Sequence, residues 1–330
     1  MFIGNDPVIA SFIVFQSKQS ILHPHQREPA ILNLMALQDI LNTNPPLERF
    51  WLPNGCIRIQ RDDLIHPIIS GNKWRKLQGW IGRAINEGKT TVLTFGGAYS
   101  NHLLATACAA KFAGLKSIGI LRGEEKMSNG YTKICLQHTM QLLGISRASY
   151  RNKAEALSMV KALPVFKNTH WDKVLVIDEG GKGEDGLLGF IDLIEDWKNK
   201  GVSPTAIYHA SATGTTAVGL VKAVHQYGMQ STVEAVLVLK NINEQRAMAK
   251  EFSVESKINW IEGYEFGGYA KTTPILLGFM ETVEKMNRIR LDPVYTAKAL
   301  FALNEGLLSS DNQGKDIVFL HTGGVLNPNN

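Results

Sequence analysis

The chain has 330 residues, of which 44% are hydrophobic and 20% are charged. This is the composition of a globular protein with room for two domains, and it argues against a disordered chain. The net charge of +5 is dispersed along the sequence and forms no long run of like charges, so nucleic-acid binding is not indicated. The three cysteines lie far apart without CxxC spacing, which argues against a zinc site or a disulfide framework and favours the reducing cytoplasm.

Residues 1–45 form an N-terminal extension. Their apolar run, residues 8–15, is too short to cross a bilayer. Asp6 precedes the run and Lys18 follows it, which reverses the charge order of a signal peptide. A helical pattern covers residues 35–41, and a strand is predicted at residues 56–60. The triplet Arg61-Asp62-Asp63 follows this strand, and its ordinary interpretation is a surface ion-pair cluster.

Residues 70–77, SGNKWRKL, place Lys73 after a Gly-Asn turn and at the start of a helical pattern that ends at Gly88. Arg75 and Lys76 add positive charge beside Lys73, and a helix N-terminus adds positive potential. Both effects favour the neutral amine, which can form a Schiff base with a carbonyl, so Lys73 is a candidate for covalent catalysis. The alternative is a surface helix that begins with solvated basic residues.

The next strand, residues 90–95, ends in the sequence GGAYSNH, and a helical pattern covers residues 103–112. This places Ser100, Asn101 and His102 on a strand-to-helix turn. In α/β folds such turns face the ligand crevice. The alternative is that Ser100 or Asn101 only caps the helix.

The middle of the chain alternates in the same way. Strands are predicted at residues 117–121 and 174–177, and helices at residues 131–143, 154–163 and 185–200. A strand at residues 205–210 then leads into SATGTT and a helix at residues 217–227. Backbone N–H groups in such a loop would hold a phosphate at the helix N-terminus. The loop matches neither GxGxxG nor GxxxxGK[ST], so a dinucleotide or a nucleoside triphosphate is not indicated. An ordinary βα turn with threonine caps is the alternative.

The C-terminal third continues with strands at residues 233–239 and 316–320 and helices at residues 243–252, 275–286 and 297–308. An aromatic loop covers residues 263–269, and residues 291–296 are expected to be extended. Strands that alternate with helices throughout predict an α/β fold with parallel sheets.

Four separated motifs, GNKWRKL, GGAYSNH, ATGTT and DPVYTAKA, occur in one order along this chain. In that order they resemble the pyridoxal-phosphate enzymes of the 1-aminocyclopropane-1-carboxylate deaminase and D-cysteine desulfhydrase family. The resemblance runs from about Pro46 to Gly324 and includes RDDL at Arg61 and HTGG at His321. It implies the two-domain fold of tryptophan synthase β, known as fold type II. The large domain would comprise residues 1–75 and 189–330, the small domain would comprise residues 76–188, and the protein would be a homodimer.

The resemblance also implies the residues that bind the cofactor, pyridoxal 5′-phosphate. Lys73 would carry the covalent link, Lys76 would reach the phosphate, and Asn101 would contact the ring hydroxyl. Thr296 would hydrogen-bond the pyridine nitrogen. The phosphate cup would be formed by Thr213, Gly214, Thr215 and Thr216.

The implied catalytic residues are Lys73, Ser100, Tyr295 and, as a second tyrosine, Tyr269. The implied substrate-binding residues are Ser100, Asn101, His102 and Tyr269. No metal is expected. The 264–274 loop departs from the family pattern, as do Ser70 and Ala297, and these departures leave the identity of the substrate open.

Two positions discriminate within the family. Cyclopropane-opening deaminases carry Glu at the position of Thr296 and Gln at the position of His102, whereas the desulfhydrase type carries Thr and His. The resemblance therefore implies a lyase that converts D-cysteine to pyruvate, sulfide and ammonia, with 1-aminocyclopropane-1-carboxylate deaminase as the alternative. A non-catalytic cofactor-binding or amino-acid-sensing protein is an alternative of another class.

Overall fold

The structure is a computed structural model that describes residue 37 and residues 40–42, 44–124, 128–240 and 242–324. The predictions for residues 8–15, and most of the helix predicted at residues 35–41, lie outside the described residues. None of the described helices is long and apolar enough to cross a membrane.

The strands are β1 (Leu47–Leu52), β2 (Gly55–Gln60), β3 (Thr91–Gly96), β4 (Lys116–Arg122), β5 (Gln141–Ile145), β6 (Val174–Ile177), β7 (Ala206–Ser211), β8 (Thr232–Leu237), β9 (Ile258–Ile261) and β10 (Ile317–Leu320). The helices are α1 (Asn72–Asn86), α2 (Asn101–Phe112), α3 (Gly130–Gln137), α4 (Arg147–Arg151), α5 (Lys153–Ala162), α6 (Leu188–Asn199), α7 (Thr215–Gln226), α8 (Asn243–Glu251), α9 (Pro274–Asn287) and α10 (Thr296–Gly306).

The described chain divides into two compact units, each built around one sheet. The six-stranded unit comprises Asn42–Lys76 and, within the described chain, residues 183–324. Its sheet has the strand order β1-β2-β10-β7-β8-β9, in which only β1 and β2 pair antiparallel. The four-stranded unit comprises Leu77–Lys182 and has the parallel strand order β5-β4-β3-β6. The predicted α/β fold with mostly parallel sheets is confirmed. The assignment of these units as a cofactor domain and a small domain stays a prediction.

Helices cover both faces of the six-stranded sheet. Tyr208 and Phe319 pack with α9 and α10 on one face, whereas the adjacent Ile207 and Val318 pack with α6 and α7 on the other. Every residue of β7 is buried, as expected for a central parallel strand covered on both sides. The parallel neighbours β2, β10 and β7 therefore end at the same edge of the sheet, where the residues that follow them meet.

The four-stranded unit corrects one predicted element. The helix expected at residues 131–143 ends at Gln137, and Thr139, with a φ of 62°, turns the chain into β5. Leu142 and Leu143 fit a helical pattern and a strand equally well over so short a run. Pairing with β4 decides the outcome, since β5 completes the edge of that sheet. The segment at residues 291–296 also differs from its prediction, because it forms a turn before α10 rather than an extended strand.

Candidate active site

The candidate site begins at a tight turn before α1. Gly71 has a φ of 61°, and a Cβ atom there would lie 2.0 Å from the carbonyl oxygen of Thr322. Glycine is required because the turn presses against the backbone that follows β10 and adopts a left-handed conformation. The N–H of Asn72 donates to the Thr322 carbonyl at 3.3 Å. The turn therefore holds Lys73, in the first turn of α1, against the end of β10.

A buried ion pair braces the same turn. The Arg75 guanidinium donates to both carboxylate oxygens of Asp62 at 2.9 and 3.0 Å, and Asp62 is fully buried. The backbone carbonyl of Asp62 also accepts the N–H of Gly71 at 2.8 Å. The interpretation of Arg61-Asp62-Asp63 as a surface cluster is therefore wrong for Asp62 and Asp63, which are both buried. Losing one partner of such a buried pair typically costs about 3–5 kcal/mol, so this pair is a strong constraint on the turn.

The amine of Lys73 is neutral more often than the amine of an ordinary lysine. It donates to Oδ1 of Asn72 at 2.8 Å. Burial lowers the pKa of Lys73 to about 8, although the Asp292 carboxylate opposes that shift. About a tenth of the amine is then neutral at pH 7, compared with roughly one part in three thousand for an ordinary lysine. Burial is the largest cause of this shift, rather than the predicted influence of the charges of Arg75 and Lys76, and the Arg75 guanidinium is itself bound to Asp62.

Lys76 is a buried cation without a counter-ion. Its side chain is only 4% exposed, and its amine has no hydrogen bond or ion pair with any residue of the described chain. Burial lowers its pKa well below the ordinary value, and the charge of Lys73 lowers it further. Burying an uncompensated ammonium is costly unless an anion joins it. This arrangement is therefore suited to an anionic ligand.

The loop after β7 leads into a helix start whose backbone N–H groups suit the same kind of anionic ligand. Gly214 has a φ of 81°, and a Cβ atom there would lie 3.0 Å from Cα of Gln245. Helix α7 starts at Thr215 without a side-chain cap, which leaves its first N–H groups available to a ligand. The hydroxyl of Thr216 accepts from Asn72 at 3.1 Å, so one side chain joins this loop to the Lys73 turn.

Polar atoms around this loop lack partners in the described chain. They are Oγ of Ser211, Nε2 of His209 and Oε1 of Gln245, and all three are buried. Burial lowers the pKa of His209 to about 4, and the nearby charge of Lys76 acts in the same direction. His209 is therefore neutral near pH 7. Buried polar atoms are normally satisfied, and a phosphate with its surrounding water would supply the missing partners.

Asp292 completes the charges around Lys73. It is 5% exposed, and its carboxylate accepts the N–H groups of Val294 at 3.2 Å and Tyr295 at 2.7 Å. Burial raises the pKa of Asp292 to about 6, against the opposing effect of these backbone N–H groups and of Lys73. Thr296 is fully buried beside it. The Thr296 hydroxyl accepts from the N–H of Asp292 at 2.9 Å and donates to the carbonyl of the same residue at 3.2 Å.

The structure brings the two candidate tyrosines together. The rings of Tyr269 and Tyr295 pack edge to face, with their centroids 6.5 Å apart. Tyr295 precedes the first residue of α10 and is half-buried, whereas Tyr269 is 54% exposed. Both tyrosines lie in the six-stranded unit. The same unit contains Lys73, Lys76, Thr296 and the loop after β7.

Ser100, Asn101 and His102 belong to the four-stranded unit. Ser100 caps α2 and accepts the N–H of Leu103 at 3.3 Å. A Cβ atom at Gly96 would lie 2.8 Å from the Ser100 hydroxyl, which explains one of the two glycines before this turn. His102 is buried, and its Nε2 lies 2.9 Å from the Thr94 hydroxyl. That hydroxyl donates to a carbonyl of β6, so the histidine nitrogen must be the donor.

Two residues with contacts in this site were not among the site residues predicted from the sequence. Asn72 and Asp292 stand inside the quoted motifs, but neither position has a periodicity or spacing that assigns it a contact. Asn72 contacts both Lys73 and Thr216, and Asp292 influences the charge of Lys73. An aspartate directly before a proline and four residues before the start of α10 was the available signal for Asp292.

The fold and these residues are those of an α/β protein that can hold a phosphorylated carbonyl compound beside a lysine amine. The chain belongs to the family of pyridoxal-phosphate dependent enzymes, whose sequence profile matches residues 46–323. Its cofactor is therefore pyridoxal 5′-phosphate, and the family resemblance of the four motifs is confirmed. The buried Lys76 and the unpartnered atoms near α7 fit the phosphate of that cofactor.

Known proteins of this family are similar over most of the chain. A candidate 1-aminocyclopropane-1-carboxylate deaminase of Pyrococcus abyssi is 30% identical over 285 residues, which is 82% of this chain and 84% of the relative. A D-cysteine desulfhydrase of Klebsiella pneumoniae is 27% identical over 82% of this chain and 87% of the relative. The crystal structure of a homologue of 1-aminocyclopropane-1-carboxylate deaminase superimposes with a TM-score of 0.71, with 26% identity over 92% of this chain and 96% of the homologue.

Proposed function

We propose that this enzyme is a D-cysteine desulfhydrase, which releases pyruvate, sulfide and ammonia from D-cysteine. The observation that carries the proposal is the pair Thr296 and His102, which resembles the desulfhydrase type. A relative named as a D-cysteine desulfhydrase supports it. The second candidate is 1-aminocyclopropane-1-carboxylate deaminase, which other relatives support by name.

In this proposal the cofactor, when bound, supplies the electron sink, and the protein orients it and moves protons. The loop after β7 and Lys76 hold the phosphate. Lys73 carries the covalent link and, once released from it, moves the proton at the substrate α-carbon. Its lowered pKa suits that role, because a proton carrier works best when its pKa lies near the working pH.

The residue beside the pyridine nitrogen decides the strength of the sink. We assign this position to Thr296, whose hydroxyl is neutral and already engages the backbone of Asp292. A neutral partner leaves the ring a weaker sink than a carboxylate would. Elimination of thiolate, a good leaving group, tolerates that weakness, whereas opening of a cyclopropane ring offers only a carbon leaving group.

Ser100, Asn101 and His102 are assigned to the substrate carboxylate and the ring hydroxyl, and Tyr295 and Tyr269 to the reacting face. We further propose a cytoplasmic homodimer, with residues 1–75 and 189–330 as the cofactor domain and residues 76–188 as the small domain. A non-catalytic binding or sensing protein would have no need of an amine with the lowered pKa of Lys73.

Capture of the cofactor should depend on pH through the amine of Lys73. Below pH 8 we expect the second-order rate constant for covalent capture by the cofactor-free protein to rise about tenfold per pH unit, and to level off above pH 8. The rate is measured by borohydride trapping. Nα-acetyl-lysine, which keeps its side-chain amine, is the reference that corrects for titration of the cofactor itself. A midpoint near that of free lysine would contradict the assignment.

Asp292→Asn is the matched variant for this measurement. The Asp292 carboxylate raises the pKa of Lys73, so its removal should lower the pKa further and move the midpoint below 8. An unmoved midpoint would show that Asp292 does not act on this amine.

The ratio of the two substrates tests the reaction itself. We expect kcat/KM for D-cysteine to exceed that for 1-aminocyclopropane-1-carboxylate by at least about tenfold, which corresponds to about 1.4 kcal/mol in barrier height. Sulfide and ammonia release are measured on the unmodified enzyme. The double substitution Thr296→Glu and His102→Gln should move the ratio toward the cyclopropane substrate. A tenfold preference of the unmodified enzyme for that substrate would leave only the second candidate standing.

A further inference from the structure

A fully buried lysine on α10 supports the loop that carries Tyr269. Lys298 is 0% exposed, and its amine donates to the carbonyl oxygens of Glu265 at 2.8 Å and Gly268 at 2.9 Å. No carboxylate in the described chain lies within ion-pair distance of this amine. In the described chain, the hydrogen bonds of the Lys298 ammonium therefore go to two backbone carbonyls of one loop, while the Asp292 and Glu265 carboxylates act on its charge from beyond ion-pair distance.

That loop has an unusual backbone that needs external support. We call residues 264–269 the strap. Phe266 has a φ of 48° and Gly268 a φ of 118°, and Ala270, directly after the strap, has a φ of 54°. Positive φ angles at non-glycine residues are unfavourable and persist only where the surroundings impose them. The strap has one hydrogen bond within its own backbone, from Gly268 to Glu265 at 2.9 Å, and α10 supplies further hydrogen bonds to it.

One stripe of α10 contacts the strap along its whole length. Glu305 accepts from the Tyr264 hydroxyl at 2.9 Å, and Phe301 packs edge to face on Phe266 with centroids 5.3 Å apart. Lys298 lies one helical turn N-terminal to Phe301. The spacing of these three residues places them on one face of the helix.

The same stripe ends at the candidate catalytic tyrosine. Tyr295 stands one turn before Lys298, and its ring packs on Tyr269, the last residue of the strap, with centroids 6.5 Å apart. The bonds from Lys298 to Glu265 and Gly268 lie between the aromatic contact at Phe301 and the one at Tyr295. Lys298 therefore holds the part of the strap that directly precedes Tyr269.

We propose that Lys298 is a positioning residue that fixes the strap on α10 and thereby holds Tyr269 against Tyr295 on the substrate side of the site. The placement of Tyr269 is the basis for its effect on the reaction, and this part of the inference rests on the proposed function. The attachment of the strap by Lys298 does not rest on it.

The test compares Lys298→Met with Lys257→Met, a control at an exposed lysine outside the strap. Methionine preserves the length and bulk of the buried chain but donates no hydrogen bond. Hydrogen exchange is measured on the cofactor-free protein. We expect the Gly268 and Lys271 amides, which donate within this loop, to exchange at least about tenfold faster in Lys298→Met and unchanged in the control. Unchanged exchange in Lys298→Met would overturn the proposal.

Kinetics with D-cysteine provide the second readout. Lys298→Met should lower kcat at least about tenfold while the affinity for the cofactor changes less than about twofold. The effects of Lys298→Met and Tyr269→Phe should be strongly non-additive, because both act through the placement of one ring. Additive effects, or a loss of cofactor affinity equal to the loss of kcat, would show that Lys298 has only a general structural role.

Two further results keep the two proposals separate. If the unmodified enzyme acts on neither substrate, the proposed function fails, and the exchange measurement still decides whether Lys298 holds the strap. If Lys298→Met does not fold, Lys298→Leu is used instead, because leucine also fills buried space without donating a hydrogen bond. Faster exchange of the Gly268 amide in that variant, with lower kcat, supports the proposal, and no change overturns it.

Discussion

The Lys73→Ala variant should lose both the covalent cofactor link and turnover. We expect kcat/KM to fall by at least about 10²–10⁴-fold, the range for removal of a positioned proton carrier alone, and further because the covalent link is lost as well. The protein should still bind the cofactor non-covalently, since Lys76 and the loop after β7 remain. The measurements are the yellow absorbance, borohydride trapping with identification of the labelled peptide, and turnover of both substrates.

Lys257→Ala is the control for this experiment, because Lys257 is an exposed lysine of the same unit. It should retain the yellow colour, the trapped peptide and full turnover. If Lys73→Ala still yields a borohydride-reducible link on the peptide that contains residues 70–77, the link belongs to another amine. Lys76, in the same helix, would then be the next candidate to test.

The alternation of strands and helices was predictable because most elements of this chain are long and have clear periodicity. β6 lies at the residues predicted for it, and α7, α9 and α10 differ from their predictions by a few residues at the ends. β5, β1 and β9 were missed. All three lie at sheet edges. Pairing with β4 and with β8 decides the conformation of β5 and β9 more than local sequence does, whereas β1 forms a hairpin with the adjacent β2.

Candidate site residues inside a recognisable motif could be proposed from the sequence. Contacts between segments that are far apart in the sequence could not. Lys73 and the threonines after β7 were proposed from turns and helix starts, whereas Lys76 was proposed from the family resemblance. Other features depend on which segments meet at the edge of the sheet. They are the ion pair of Arg75 with Asp62, the hydrogen bonds of Lys298, and the lack of a counter-ion for Lys76 in the described chain. Burial is the common cause, and a sequence pattern does not report which lysine the fold removes from water.

Lys76→Met should have opposite effects on the cofactor-free protein and on the complex. Without cofactor, the substitution removes a buried ammonium that has no counter-ion in the described chain, so the variant should be more stable than the unmodified protein, by ~2–6 °C in Tm. With cofactor, the same substitution removes the cation that we propose binds the phosphate. The dissociation constant for pyridoxal phosphate should then rise about 10²–10³-fold, equivalent to about 3–4 kcal/mol.

The pH dependence of the stability gain identifies its cause. The folded-state pKa of Lys76 lies below its unfolded value, so between these two values the unfolded chain binds more protons than the folded one. The stability of the unmodified, cofactor-free protein therefore contains a contribution that rises with pH over this range. The variant lacks it, and the difference in Tm between the two proteins should shrink as the pH approaches 10. A difference that does not change with pH would point to packing rather than charge.

Pyridoxal, which lacks the phosphate, separates the charge effect from general damage to the site. Lys76→Met should weaken pyridoxal phosphate strongly but pyridoxal by less than about threefold, because only the former presents an anion to the Lys76 position. Inorganic phosphate should raise the Tm of the unmodified cofactor-free protein and leave that of the variant unchanged, whereas Lys257→Met should behave as the unmodified protein in both assays. Equal losses for the two forms of the cofactor would mean that Lys76 shapes the pocket without binding the phosphate, and the anion site would have to be sought at the N–H groups of α7 alone.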